Sequence, residues 1–211
     1  MRYFFPIIFV GVLWLSMLPQ ALATTVVAVS DEELLRRADA VVLGHVVKTE
    51  TVVHPDSQIF THAYVQIYKS FLKTIVPDII VLQSPGGVLK SGLAAVVPGA
   101  PRFIPGSLII TYLKHVDDTN ELFAPLGLSY GVLHVLQDDV GELRVYRLGL
   151  GMQLVTKTGA PVLPKTYEVN GVPFWEWDKR LTQMAANLKK IPKTLPQIMA
   201  PSVVPHQRDV P

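Results

Sequence analysis

Residues 59–68 read Ile59-Phe60-Thr61-His62-Ala63-Tyr64-Val65-Gln66-Ile67-Tyr68. Side chains alternate across an extended chain, so Ile59, Thr61, Ala63, Val65 and Ile67 share one face and Phe60, His62, Tyr64, Gln66 and Tyr68 the other. Both faces carry hydrophobic bulk. This predicts a strand from Ile59 to Leu72 that is covered on both sides for part of its length. Upstream, Ala40 to Val47 is rich in β-branched residues, with Gly44 as a bulge or bend, and His54-Pro55-Asp56-Ser57 forms the turn between the two. Downstream, Ile79–Leu82 predicts a third strand ending at Pro85-Gly86-Gly87, and Val88–Val97 a weaker fourth. Pro98-Gly99-Ala100-Pro101-Arg102-Phe103-Ile104-Pro105-Gly106 is a rigid connector, because its prolines fix φ and its glycines permit tight turns. Ser107–Leu113 is a strong strand and Asp117–Asn120 a polar turn. Leu122–Leu126, Val132–Gln137 and Leu143–Arg147 continue a meander, with Asp138–Gly141 as a hairpin turn. Short strands at this spacing predict a mainly β fold, a small closed or nearly closed antiparallel barrel, with a β-sandwich as the alternative. Gly44, Gly92 and Gly131 supply the bend points such a barrel needs.

Two helices flank this region. Ser30 precedes Asp31-Glu32-Glu33 as a capping box, and acids lead while Arg36-Arg37 close, so a short helix starts there with Leu34, Leu35 and Ala38 as its apolar face. Near the other end, Tyr167–Val169 and Val172–Phe174 flank Asn170-Gly171, the signature of a hairpin with a type I′ turn. Phe174, Trp177, Leu181, Met184, Ala185 and Leu188 then recur at helical spacing. Residues 1–23 have the form of a signal peptide: Arg2, an apolar run from Phe4 to Leu18, Pro19, and Ala21-Leu22-Ala23 before the cleavage point. The expected organisation is therefore a signal peptide over 1–23, a β-barrel with its N-terminal helix over 24–164, a hairpin and helix packed on the barrel over 165–191, and an extended or disordered tail over 192–211, which holds five prolines. Localisation is expected to be periplasmic or secreted, in a bacterium.

Composition narrows the chemistry. The signal holds one charge, Arg2, so the mature chain carries 18 basic and 17 acidic side chains, a net charge of +1. That near-neutral balance gives no electrostatic claim on nucleic acid or anionic lipid. There is no cysteine, which removes thiol catalysis, iron–sulfur sites and thiolate zinc sites together.

The order of Ala38-Asp39-Ala40-Val41-Val42-Leu43-Gly44-His45-Val46, Thr61–Leu72 with Lys73, Gly86-Gly87, Gly92, Val97–Gly106, Leu108–Leu113 and Tyr130-Gly131 resembles an uncharacterised family of bacterial exported proteins. The barrel of that family is similar to the OB-like fold of the tissue inhibitors of metalloproteinases and of netrin-type domains. The resemblance covers residues 30–147 and implies an OB-like barrel. It also raises protease inhibition as a function. The animal inhibitors place an N-terminal cysteine amine on the target's zinc, whereas this chain would present Thr24-Thr25-Val26-Val27.

The six histidines, His45, His54, His62, His115, His134 and His206, show no helical metal-ligand spacing, although His45 and His62 are placed to meet across the first hairpin. Ser129, between Gly127 and Gly131, lacks a nucleophile-elbow context. Asp117-Asp118 and Asp138-Asp139 read as solvated turn acids before they read as calcium ligands. Neither a cofactor nor a metal site is expected. Arg102 and Phe103 in the connector form a candidate contact pair, with Phe103 as a barrel plug the competing reading, and Trp175 is a candidate contact anchor on the C-terminal helix. The expected function is a non-enzymatic exported domain that binds another protein or a cell-envelope component. A metalloprotease inhibitor and an unrecognised hydrolase or small-ligand carrier are the alternatives.

Overall fold

The computed structural model describes residues 24–72, 76–116, 121–148, 152–162 and 169–188. The stretches expected to form a signal peptide (1–23), a polar turn (117–120) and an extended or disordered tail (192–211) lie outside them. The chain runs β1 (Thr24–Val27), α1 (Asp31–Arg37), β2 (Ala40–Val53), β3 (Ile59–Ser70), β4 (Ile79–Pro85), β5 (Gly87–Val88), β6 (Ala94–Ala95), β7 (Leu108–His115), β8 (Leu122–Pro125), a 3₁₀ turn (Leu128–Gly131), β9 (Val132–Gln137), β10 (Leu143–Tyr146), β11 (Met152–Val155), β12 (Asn170–Pro173) and α2 (Phe174–Leu188).

Five of these strands close into a ring in the order β7-β2-β3-β4-β8 and back to β7. A ring with an odd number of strands cannot alternate direction all the way round, so one junction must be parallel. That junction is β4–β8, at Val81↔Leu122 and Leu82↔Phe123; the other four are antiparallel. The result is a small OB-like barrel of mixed strand sense. β7 has a second role. Its first half pairs with β9 (Leu108↔Val135 to Thr111↔Val132) and its second half with β8, so the sheet continues outside the ring through β9, β10 and β12.

The uninterrupted apolar runs in β2 and β7 follow from burial on both faces. Ala40, Val42, Val46, Ile109 and Leu113 point into the ring, where they meet Ala63, Val65, Ile80, Leu82, Phe103, Phe123 and Val132. Val41, Leu43, Ile110 and Tyr112 point outward and pack with Leu133, Val135 and Val145 beneath Leu34 and Leu35 of α1 and Trp177, Leu181 and Ala185 of α2. Gly44 sits tight against β3, at a shift in the register of the two strands. A Cβ there would lie 2.5 Å from Val65 Cγ1 and 2.8 Å from the Gln66 carbonyl, so no larger residue fits this bend. The expected cap also forms, with Ser30 Oγ accepting from the Glu33 N–H at 3.2 Å.

Two local expectations change. Val88–Val97 is not one strand. It folds back on itself with Val88↔Ala94 and Gly87↔Ala95 in register, and Gly92 at φ 85° turns the chain between them. Asn170-Gly171 is not the turn of its own hairpin. Residues 170–173 form a strand on β10, and the left-handed Gly171 (φ 71°) fills the bulge where the register shifts between Val145 and Tyr146.

A polar knot fastens the helical layer to the sheet. Arg147, whose side chain is 4% exposed, pairs with Asp31 in the first turn of α1, which is 11% exposed. Tyr112 donates to the same carboxylate oxygen at 3.0 Å. The Arg147 guanidinium lies over the Tyr130 ring, 4.6 Å from its centroid, and Tyr130 donates to the Val29 carbonyl at 2.7 Å. Burial, with the Asp31 carboxylate beside it, pushes the Tyr112 phenol well above its ordinary value. Removing one member of a buried pair strands the other charge. Arg147→Met is therefore expected to lower unfolding stability by about 3 kcal/mol, and Asp31→Asn with Arg147→Met to recover part of that loss. Urea titration of the three proteins measures both effects.

Candidate interaction surface

The candidate surface is the connector that carries the chain from β4 to β7 across one end of the ring. Gly86 leaves β4 at φ 88°, and its amide donates to the Ile59 carbonyl at 2.8 Å. Thr61 Oγ1 donates to the Gly86 carbonyl at 2.8 Å. Gly87 lies directly on the first hairpin, so a Cβ there would meet Thr61 Oγ1 at 2.6 Å and Thr51 Cγ2 at 2.8 Å. Farther on, the Gly99 carbonyl accepts from the Ser129 amide at 3.0 Å, and the Pro101 carbonyl from the buried Ser84 hydroxyl at 3.0 Å. Ser107 closes the segment onto Ile104, and Gly106 donates to the Val46 carbonyl. The backbone is thus pinned at both ends and in the middle.

With the backbone pinned, side chains that find no place in the ring face solvent. Val88, Leu93, Val96, Val97 and Ile104 are exposed, Val96 to 82%. The charged residues between Gly86 and Gly106 are Lys90 and Arg102, both basic and both exposed. Large exposed apolar side chains concentrated in one rigid segment are unlike the scattered singles of an ordinary surface.

The three residues singled out from sequence separate here. Phe103 is 8% exposed and packs in the inner core, so it is the plug of the barrel end and not a surface contact. Its neighbour Arg102 is exposed on the connector. Trp175 is 69% exposed on the first turn of α2, while Trp177, two residues on, is buried in the outer core. Arg102 and Trp175 therefore belong to different layers of the molecule. What sequence reasoning missed was Val88, Leu93 and Val96, which read as part of a strand. The Lys90-Ser91-Gly92 turn signal inside that run was the clue.

A second feature lies on the outer face of the β2–β3 hairpin. Glu50 stands opposite His62 and Lys48 opposite Tyr64. Tyr64 donates to Glu50, and the Lys48 ammonium sits 3.9 Å from the Tyr64 ring centroid. The Tyr64 hydrogen bond holds the Glu50 carboxyl below its usual range and raises the phenol in return. His62 meets His54 edge-on at 6.0 Å between ring centroids, not His45, which stacks on Tyr68. Among the described residues no three His, Asp or Glu side chains are grouped as a metal requires. Asp138 is occupied within its own turn by the Val140 and Glu142 amides and by Arg144. Burial holds His62 below the ordinary imidazole value; the Gln83 amide opposes this and His54 adds to it. Burial lowers His134 as well.

A histidine whose folded value lies below its unfolded one gives stability that is present above the unfolded value and lost as pH falls through the folded one. Stability is therefore expected to decline from about pH 6.5 downward. A His62→Gln, His134→Gln variant should show a flatter decline. Thermal melts at pH 7.5, 6 and 5 measure the slope.

Compared with protein-family models, curated proteins and solved structures, the chain matches none.

Proposed function

We propose that the protein is an exported, non-enzymatic binding domain whose connector, residues 86–106, contacts another exported protein or a component of the cell envelope. The supporting observation is the pinned segment that exposes Val88, Leu93, Val96 and Ile104 beside two bases and no acid. Rigid apolar residues lose little entropy on contact, and a segment whose exposed aliphatic side chains are accompanied by Lys90 and Arg102 and no acid suits a partner with an apolar patch and acidic groups. Export is supported by the form of residues 1–23. The inside of the ring is occupied by apolar side chains and closed by Phe103, which favours contact from outside over a ligand held within.

The test is capture from the envelope fraction of the native host with residues 24–211 as bait, beside a Val88→Asp, Leu93→Asp, Val96→Asp variant. The three positions are exposed, so the variant should keep its stability to within about 0.5 kcal/mol. Partners held by the unaltered protein and lost with the variant are the expected result. Equal capture by both would overturn the assignment of the connector.

A further inference from the structure

The first hairpin extends beyond the strand that covers its edge. β2 pairs with β7 from Ala40 to His45, and Val46 bonds Gly106 and Ser107, but β3 accompanies β2 as far as Val53. From Val47 to Val53, Val-Lys-Thr-Glu-Thr-Val-Val, the other edge of β2 meets no strand among the described residues. The register shows which backbone groups are open. His54 bonds Gln58 across the turn, so the even-numbered residues Val52, Glu50 and Lys48 continue the ladder with Phe60, His62 and Tyr64. The N–H and C=O groups of Thr49, Thr51 and Val53 therefore point away from β3, toward the open edge.

We infer that this edge pairs with the same edge of a second copy, antiparallel about a two-fold axis at Thr49. The backbone requires only that outward-pointing, odd-numbered residues face one another, which a two-fold at any residue of this edge satisfies, so charge decides the register. Centring on Glu50 would set Glu50 directly against Glu50 and is disfavoured. Centring on Thr49 places Lys48 opposite Glu50 of the second copy and Glu50 opposite its Lys48. Both fall at non-hydrogen-bonded positions, where facing side chains approach most closely. Centring on Thr51 instead sets Glu50 against Val52 and satisfies neither charge. Lys48 and Glu50 are both substantially exposed; the loose 3.7 Å contact between them is what the intermolecular pairs would replace, while Tyr64 keeps its bond to Glu50. Charges on an edge strand ordinarily repel a second strand; here their order makes them self-complementary. The contact is isologous, as closed dimers require. A strand this short buries less than the roughly 1,200 Å² of a stable interface, so the dimer is weak and concentration-dependent. This inference does not rest on the connector, although the connector's ends abut the hairpin at Thr51 and Val46.

Sedimentation of residues 24–211 from about 10 μM to about 1 mM tests it. The unaltered protein is expected to associate reversibly to a dimer. Lys48→Glu alone and Glu50→Lys alone should each move dimerisation to concentrations higher by about tenfold or more. An equimolar mixture of those two variants should dimerise again, since each then faces opposite charge, and so should the Lys48→Glu, Glu50→Lys double variant. Recovery in the mixture also shows that the single variants are folded. A monomer throughout the range, or dimerisation unchanged by the single reversals, would overturn the inference.

Discussion

A closed ring of five strands cannot be antiparallel at every junction, and much of this molecule follows from that parity. The one parallel contact joins β4 to β8, and parallel neighbours cannot be joined by a tight turn. The chain must leave β4, cross the end of the ring, run back along β7 and return before β8 can close the circle. The connector between Pro85 and Leu108 is that crossing. Its length and its exposed position are thus set by topology, and its prolines and left-handed glycines make the crossing rigid. The exposed aliphatic side chains of Val88, Leu93 and Val96 thus lie where the fold was obliged to place a loop.

The second organising fact is that β7 has two neighbours along one edge. β8 takes its second half for the ring, and β9 takes its first half for the outer sheet. The wall formed by β2 and β7 therefore separates two apolar layers, and successive residues along it serve different cores. Ile109 and Leu113 face inward, Ile110 and Tyr112 outward. The helices exist to cover the outer layer, and Lys69–Asp178 at 2.5 Å and Arg147–Asp31 hold them against it.

The mainly β character, most strands between Ala40 and Tyr146 and both helices were legible because each depends on local periodicity and capping, whereas the parallel pair of Thr24–Val27 with Met152–Val155 was not read at all. The apolar face of α2 was read residue by residue, since Trp177, Leu181 and Ala185 recur at helical spacing whatever they pack against. Val88–Val97 was misread because alternation alone does not reveal a chain doubling back, and Asn170-Gly171 because a left-handed glycine suits a bulge as well as a turn. Phe103 was legible as a plug or as a contact, and only the closed ring decides between them. The Asp31–Arg147 pair was beyond sequence reasoning. Its members lie 116 residues apart, and nothing near Arg147 announces a buried partner.

That separation bears on timing. A chain is made from its N-terminus, at roughly 5–20 residues per second. Asp31 thus waits roughly 6–23 s before Arg147, 116 residues on, exists to meet it. During that interval α1 is seven residues of marginal helix without its ion pair, and its apolar cover arrives piecemeal, from Val41 and Leu43 through Tyr112 and Leu133. The ion pair that fastens α1 to the sheet is thus one of the last contacts that the growing chain can complete around this helix.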